Sequence, residues 1–266
     1  MPHHLIRKLG RYVHLPPEDE AVLARLVHEA AWIGPGRDLL QEGAAAKAVW
    51  AVLEGWACLY KQLEDGRRHI TAYLLPGDLC GAPIDCPSPV NYAIGTLTPV
   101  RAARIPGPIL LAAMESHPSI RRAVWLDMLA TSAIQREWTA NIGFRTARER
   151  IAHLFCEIVS RLQAVGLADE TGCLLPLTQE DLGETVGIST VHVNRTLQEL
   201  RQAGLITLRR QRLGIPDVAA LRKVACFDDV YLRPLSSGSD RDRGTVRRSE
   251  AEPVVGSEAA TQNIIA

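Results

Sequence analysis

The side chains best suited to chemistry crowd into one stretch of the chain. Thr178, Ser189, Thr190, His192, Asn194, Arg195, Arg209, Arg210 and Arg212 fall within a few dozen residues of each other. Between Ile188 and Ile215 five arginines face a single acid, Glu199, whereas residues 1–117 hold 11 basic and 12 acidic side chains. Local positive charge of this kind suits a polyanion. An arginine fork matches the O6 and N7 acceptors of guanine, and an asparagine carboxamide matches adenine. Arg195 is therefore expected to read a base, and Asn194 to read adenine or hold a phosphate. The plainer reading of Arg195 is an exposed pair with Glu199 four residues on, worth only about 0.3–0.5 kcal/mol. His192 is a phosphate donor or an exposed bystander; it has no companion at ligand spacing, and no metal site is expected.

Such residues act only if a rigid element presents them. In LTQEDLGETVGISTVHVNRTLQELRQAGLITL (residues 177–208), Thr178 and Asp181 have the capping-box spacing of a helix start. Gly187 suits a turn with positive φ, and Ser189 caps a second helix. Leu182, Val186, Ile188, Val193 and Leu197 are spaced to lock the two helices in a helix-turn-helix. That leaves Thr190, Val191, Asn194 and Arg195 outward, on the turns that would enter a DNA major groove. Thr178, Ser189 and His192 are expected on phosphates. A strand at Leu205–Arg209, followed by a cationic turn before Ile215, reads as a wing whose Arg209, Arg210 and Arg212 contact phosphates.

Upstream, Ser119 to Ile142 contains no proline or glycine and reads as one long helix whose apolar positions cover more than one face. Leu126, Leu129, Ala133 and Ile134 are expected to meet a second copy of the chain. Gly143 interrupts this helix, and Thr146 with Glu149 opens the next one, making 143–146 a hinge. Short alternating runs at 49–53, 57–63, 69–75, 92–97 and 100–105 are separated by turns such as Asp65-Gly66 and Pro76-Gly77. They predict a compact β-domain of barrel or sandwich type. The fold class is thus α+β: an N-terminal β-roll (jelly-roll-like barrel) over 1–117, a long central dimerisation helix and hinge over 118–145, and a C-terminal winged helix-turn-helix over 146–233. Residues 234–266, rich in Ser, Gly, Asp, Arg and Glu, are expected to be a disordered tail.

Bulk properties set limits. The 266 residues, 47% hydrophobic and 23% charged with net charge zero, can bury a core but do not coat nucleic acid through overall charge. No run approaches the ~20 apolar residues of a membrane span, and no signal peptide is evident, so a cytoplasmic protein without membrane contact is expected. Six scattered cysteines, without a C-x-x-C pair, suggest neither a zinc knuckle nor a disulfide framework. No paired carboxylates, Ser-His-Asp set or phosphate-cradling glycine loop stands at useful spacing, so an enzyme is not expected.

With these residues in place, the chain resembles the Crp-Fnr family of bacterial transcription regulators over about residues 5–230. The helix-turn-helix carries the resemblance, and VLEGWACLYKQLEDGRRHITAYLLPGDLCG (52–81) looks like that family's β-roll, with its Glu54-Gly55 and Pro76-Gly77-Asp78 turns. The resemblance implies a homodimer joined by the central helix on a palindromic site in double-stranded DNA, and recruitment or blocking of RNA polymerase. It places an effector pocket near Leu79, Cys80, Gly81, Ala82, Asn91 and Tyr92.

The departures are equally informative. Where the family often has a glutamate in its recognition helix, this chain has Val191. Relatives that bind cyclic AMP hold its phosphate with Gly-Glu-Leu and Arg-Ser; here the matching segments read Gly81-Ala82-Pro83 and Asn91-Tyr92. A buried phosphate beside Ala82 and Asn91 would lack its countercharge, so tight cyclic AMP binding is not expected. An iron–sulfur cluster is not expected either, because no cysteine precedes Cys58. A haem or thiol-redox role for Cys80 and Cys86 stays open beside the reading that they are buried structural thiols. So does the alternative of a small-molecule or haem/redox sensor whose DNA-binding head is vestigial.

Overall fold

The computed structural model describes residues 4–45, 47–81, 89–169 and 171–233; Ala82 of the pocket reading, Cys86 of the haem or thiol-redox reading, and the expected tail lie outside them. Two short helices, α1 (His4–Leu9) and α2 (Pro17–Leu26), open the chain. They precede eight strands: β1 (Ala31–Ile33), β2 (Asp38–Leu40), β3 (Ala48–Glu54), β4 (Ala57–Gln62), β5 (Arg68–Leu74), β6 (Leu79–Gly81), β7 (Ala93–Thr96) and β8 (Val100–Pro106). The strands form two antiparallel four-stranded sheets, ordered β1-β8-β3-β6 and β2-β7-β4-β5. A register shift against β4 leaves Thr71 unpaired, so that Ile70 and Tyr73 of β5 are buried against the C-terminal half and Leu74 in the barrel's own core, while Ala51 and Val52 are fully buried on β3. At Gly55 a Cβ would meet the Pro99 carbonyl oxygen at 2.1 Å, so the β3–β4 turn, with φ +80°, can be made only by glycine.

Helix α3 (Gly107–Ser116) follows directly, with Pro108 in its first turn, where the missing N–H costs nothing. The Pro106-Gly107-Pro108 segment is thus a helix start. Then come α4 (Pro118–Phe144) and α5 (Ala147–Ala164). Gly143 does not interrupt α4 as expected: the helix runs through it and stops at Arg145, which turns extended ahead of the Thr146–Glu149 capping box. Finally β9 (Ala168–Asp169) and β10 (Gly172–Leu174) join β11 (Thr207–Arg209) and β12 (Arg212–Gly214) in one sheet around α6 (Gln179–Val186) and α7 (Thr190–Gln202), with α8 (Val218–Val224) after them.

All described residues belong to one compact unit, and its halves share a buried charged network. Lys8 Nζ lies 2.7 Å from Asp78 and 2.6 Å from Asp127, while Arg161 of α5 lies 2.7 Å from Asp78 and 3.3 Å from Glu157. Glu157, completely buried, also accepts from Trp138 Nε1 at 3.0 Å and Tyr231 Oη at 2.9 Å. Burial would raise the Asp78 carboxyl, but Lys8 and Arg161 outweigh that and hold it below the usual carboxylate range. The Pro76-Gly77-Asp78 turn is therefore the place where α1, the barrel, α4 and α5 are tied together.

Candidate nucleic-acid interface

Helix α6 begins where the capping box required. Thr178 Oγ1 accepts from the Asp181 amide at 3.0 Å, and Asp181 Oδ2 accepts from the Thr178 amide at 2.9 Å. Gly187 closes the helix at φ 70°, in the left-handed region. Gly183 has a reason of its own: a Cβ there would come within 2.7 Å of the Ile188 carbonyl oxygen, so its absence lets the turn into α7 pass close over α6. Ser189 Oγ then accepts from the His192 amide at 3.3 Å. Val193, Leu197 and Leu200 are fully buried beneath α7, with Leu182 and Val186 from α6. The two helices are thereby fixed against each other by their own apolar faces.

Thr190, Val191, His192 and Arg195 stand outward on α7, with the Arg195 side chain 80% exposed and Val191 81% exposed. Arg195 Nε lies 3.3 Å from Glu199 Oε1, the pair that spacing suggested. At this exposure such a pair is weak and its arginine can exchange partners. Asn194 departs from expectation. It is half-buried, its Nδ2 donates to Gln179 Oε1 at 3.2 Å, and its Oδ1 accepts from Gln198 Nε2 at 3.0 Å. It spans the two helices instead of standing clear as a reader.

The wing is a tight hairpin. Arg210 and Gln211 have φ of 48° and 61°, the double left-handed turn that suits strand twist. Arg209 and Arg210 are exposed. Arg212 is exposed too, but its Nη2 lies 2.6 Å from Asp169 Oδ2, so its charge is already matched within the wing sheet. Hydrogen bonds from Thr171, with Arg212 close by, hold the Asp169 carboxyl below its usual range.

A contact that the sequence did not signal seats this head on the barrel. Arg68 of β5 lies 2.7 Å from Glu184 and 3.2 Å from Asp181, and His69 Nδ1 lies 2.6 Å from the Glu184 carbonyl oxygen, which puts the ring proton on that nitrogen. Tyr73 completes the set through Thr185 at 2.5 Å. Each link joins a residue of β5 to one more than 100 positions away, beyond any local pattern.

On the barrel side, Leu79, Cys80, Gly81, Asn91 and Tyr92 do converge on one cavity of about 620 Å³, closed by Leu110, Val124, Met128, Thr131 and Gln135 from α3 and α4. Among the described lining residues the cation is Lys61, which lies 2.7 Å from Glu42, and Asp127 adds an acid. This is a poor cradle for an anionic phosphate. Burial pushes the Cys80 thiol up to about 12, far from a reactive thiolate. Among the described residues no group of three His, Cys, Asp or Glu could hold a metal ion.

Along α4, Leu129 is 55% exposed beside Trp125 and Met128, which sequence reasoning passed over; Leu126 and Ala133 are half-buried. Ile134, expected on the same outer face, packs instead into the chain's own core, because it sits on the side of α4 turned toward the barrel and α5. The exposed stripe is therefore Trp125, Met128 and Leu129, one helical turn of large apolar side chains.

Comparison with known proteins agrees with this architecture. Residues 32–117 match the model of the cyclic nucleotide-binding domain, and residues 149–224 that of the Crp-like helix-turn-helix domain. The chain is 30% identical to the transcriptional activatory protein AadR of Rhodopseudomonas palustris, over 77% of this chain and 84% of that one. It is 29% identical to the transcriptional activator protein FnrL of Cereibacter sphaeroides, over 73% and 79%. The structure of FixK2 from Bradyrhizobium japonicum superposes with a TM-score of 0.64 at 24% identity, covering 73% of this chain and 96% of that one.

Proposed function

The chain belongs to the Crp-Fnr family of transcription regulators, and from that premise we propose that two copies, joined along α4, set their α7 helices into successive major grooves of a palindromic DNA site, ~34 Å apart. The observation that carries this reading is the row Thr190, Val191, His192 and Arg195, left outward on a helix whose opposite face is wholly buried. Arg195 takes a guanine edge once it leaves Glu199. Ser189, His192, Arg209 and Arg210 take phosphates, Thr178, whose amide and hydroxyl both donate to Asp181, and Arg212 join them only by giving up Asp181 and Asp169, and Asn194 braces the two helices. Residues 1–117 form the sensor, 118–145 the dimer helix and 146–233 the reading head of a cytoplasmic protein. RNA polymerase is the further partner of this reading, which the description of the relatives FnrL and AadR as transcriptional activators favours.

Arg195→Ala tests the reading. Titration of a labelled operator should show at least a tenfold loss of affinity at an unchanged melting temperature, whereas unaltered binding overturns it. The dimer is checked by a native mass of twice 29.1 kDa.

The cavity suits an uncharged or largely apolar effector, since most of its wall surface is apolar and its lysine is engaged. Calorimetry with cyclic AMP is expected to give no binding, and micromolar affinity would overturn that part. An absorbance spectrum of the purified protein tests for haem: a Soret band would replace the apolar effector by that cofactor.

A further inference from the structure

The reading face of α7 contains one side chain that can neither donate nor accept a hydrogen bond. Val191 is 81% exposed, so folding gains little by burying it, and it stands one helical turn before Arg195, on the same side of the helix. Residues four apart lie roughly 6 Å from one another, which on a duplex rising ~3.4 Å per base covers about two base steps. Whatever base edge Val191 meets, the contact is apolar. The apolar group in the major groove is the 5-methyl of thymine.

The neighbouring polar candidate does not compete for this role. Recognition of adenine by an asparagine uses both its oxygen and its nitrogen. Asn194 already commits its Nδ2 to Gln179 and its Oδ1 to Gln198, at 3.2 and 3.0 Å. Reading a base with it would break bonds across the helix pair, whereas Val191 is free to meet the groove without rearrangement.

We propose that Val191 sets the second specificity position of each half-site by packing its isopropyl group on the 5-methyl of a thymine within about two base steps of the guanine taken by Arg195. The assignment rests on α7 being the groove-entering helix. It also makes the residue at 191 a selector: Glu at this position would accept from the N4 amine of cytosine, so Val191→Glu should exchange thymine for cytosine.

The test begins by selecting sites from a random palindromic DNA library with the full-length chain, then replaces the enriched thymine by deoxyuridine, which removes only the methyl group. Losing one buried methyl should weaken wild-type binding about 4-fold in one half-site and ~15-fold in both. Val191→Ala should bind the thymine and deoxyuridine sites within a factor of two of each other, with a melting temperature equal to that of the wild type because Val191 is exposed. If no sequence is enriched, the DNA-reading role of α7 fails and the assignment fails with it. If sites are enriched but show no thymine near the guanine, or deoxyuridine binds the wild type equally well, or Val191→Ala keeps the discrimination, the assignment alone is overturned.

Discussion

The hydroxyl of Tyr73, in the barrel, lies 2.5 Å from Oγ1 of Thr185, in the first helix of the helix-turn-helix, and both side chains are buried. The reading head is thus seated on strand β5 as well as tethered through residues 143–146. The same strand carries Thr71, which lines the barrel cavity and whose carbonyl accepts from Gln135 of α4 at 3.0 Å. A change in the cavity and a change in the seat of the head are therefore changes in one strand.

Arg68→Ala removes both ionic links between β5 and α6. The amides of Gln179–Val186 are expected to exchange hydrogen about tenfold faster, since a half-buried charge-assisted pair contributes ~1–2 kcal/mol to local closure. Tyr73→Phe should lower global stability by about 1 kcal/mol, read from urea unfolding. Unchanged exchange in Arg68→Ala would mean that the head is held without this seat.

Asp78→Asn leaves Lys8 and Arg161 buried without their shared countercharge. A loss of about 3–5 kcal/mol is expected. In the wild type the Asp78 carboxyl is held below its usual range, so its contribution is present above the unfolded carboxylate value near 4 and disappears as pH falls through the lower folded value. Urea midpoints at pH 7 and pH 3 should therefore differ more in the wild type than in Asp78→Asn.

His153 is 1% exposed against Phe227 and Tyr231, and burial, with Arg145 nearby, lowers its imidazole to about 4. Its Nε2 comes within 3.2 Å of Glu137 but makes no hydrogen bond, and the ring is neutral near pH 7, so this approach is not an ion pair. A lowered folded value means that stability is complete above about 6.5 and falls as pH drops toward 4. Between pH 7 and pH 5 the loss should be about 2 kcal/mol. His153→Phe should flatten that slope, and an unchanged slope would assign the acid sensitivity elsewhere.

In the wing, Arg210 is exposed while Arg212 is matched by Asp169. Arg210→Ala should reduce the slope of log affinity against log salt by about one. Arg212→Ala should change it by less, because the arginine's gain on DNA is offset by the release of Asp169. Equal slopes for the two variants would show that the hairpin rearranges on binding.

What the amino-acid sequence determined by itself is whatever a few neighbouring residues can enforce. The Thr178–Asp181 and Thr146–Glu149 caps, the Gly187 turn, the alternating strands and the apolar faces of α6 and α7 all act over one or two turns of chain, and each lies where its spacing placed it. Tertiary structure decided the rest. Asn194 turned to brace Gln179, Arg212 was taken up by Asp169, Ile134 faced inward, and Arg68, His69 and Tyr73 became the seat of the head. Hydrogen-bonding and charged side chains on a surface have several partners within reach, and which one they take depends on what packing brings beside them. No periodicity in the chain encodes the meeting of residue 68 with residue 184, since it follows from the burial of two apolar faces that share no local signal.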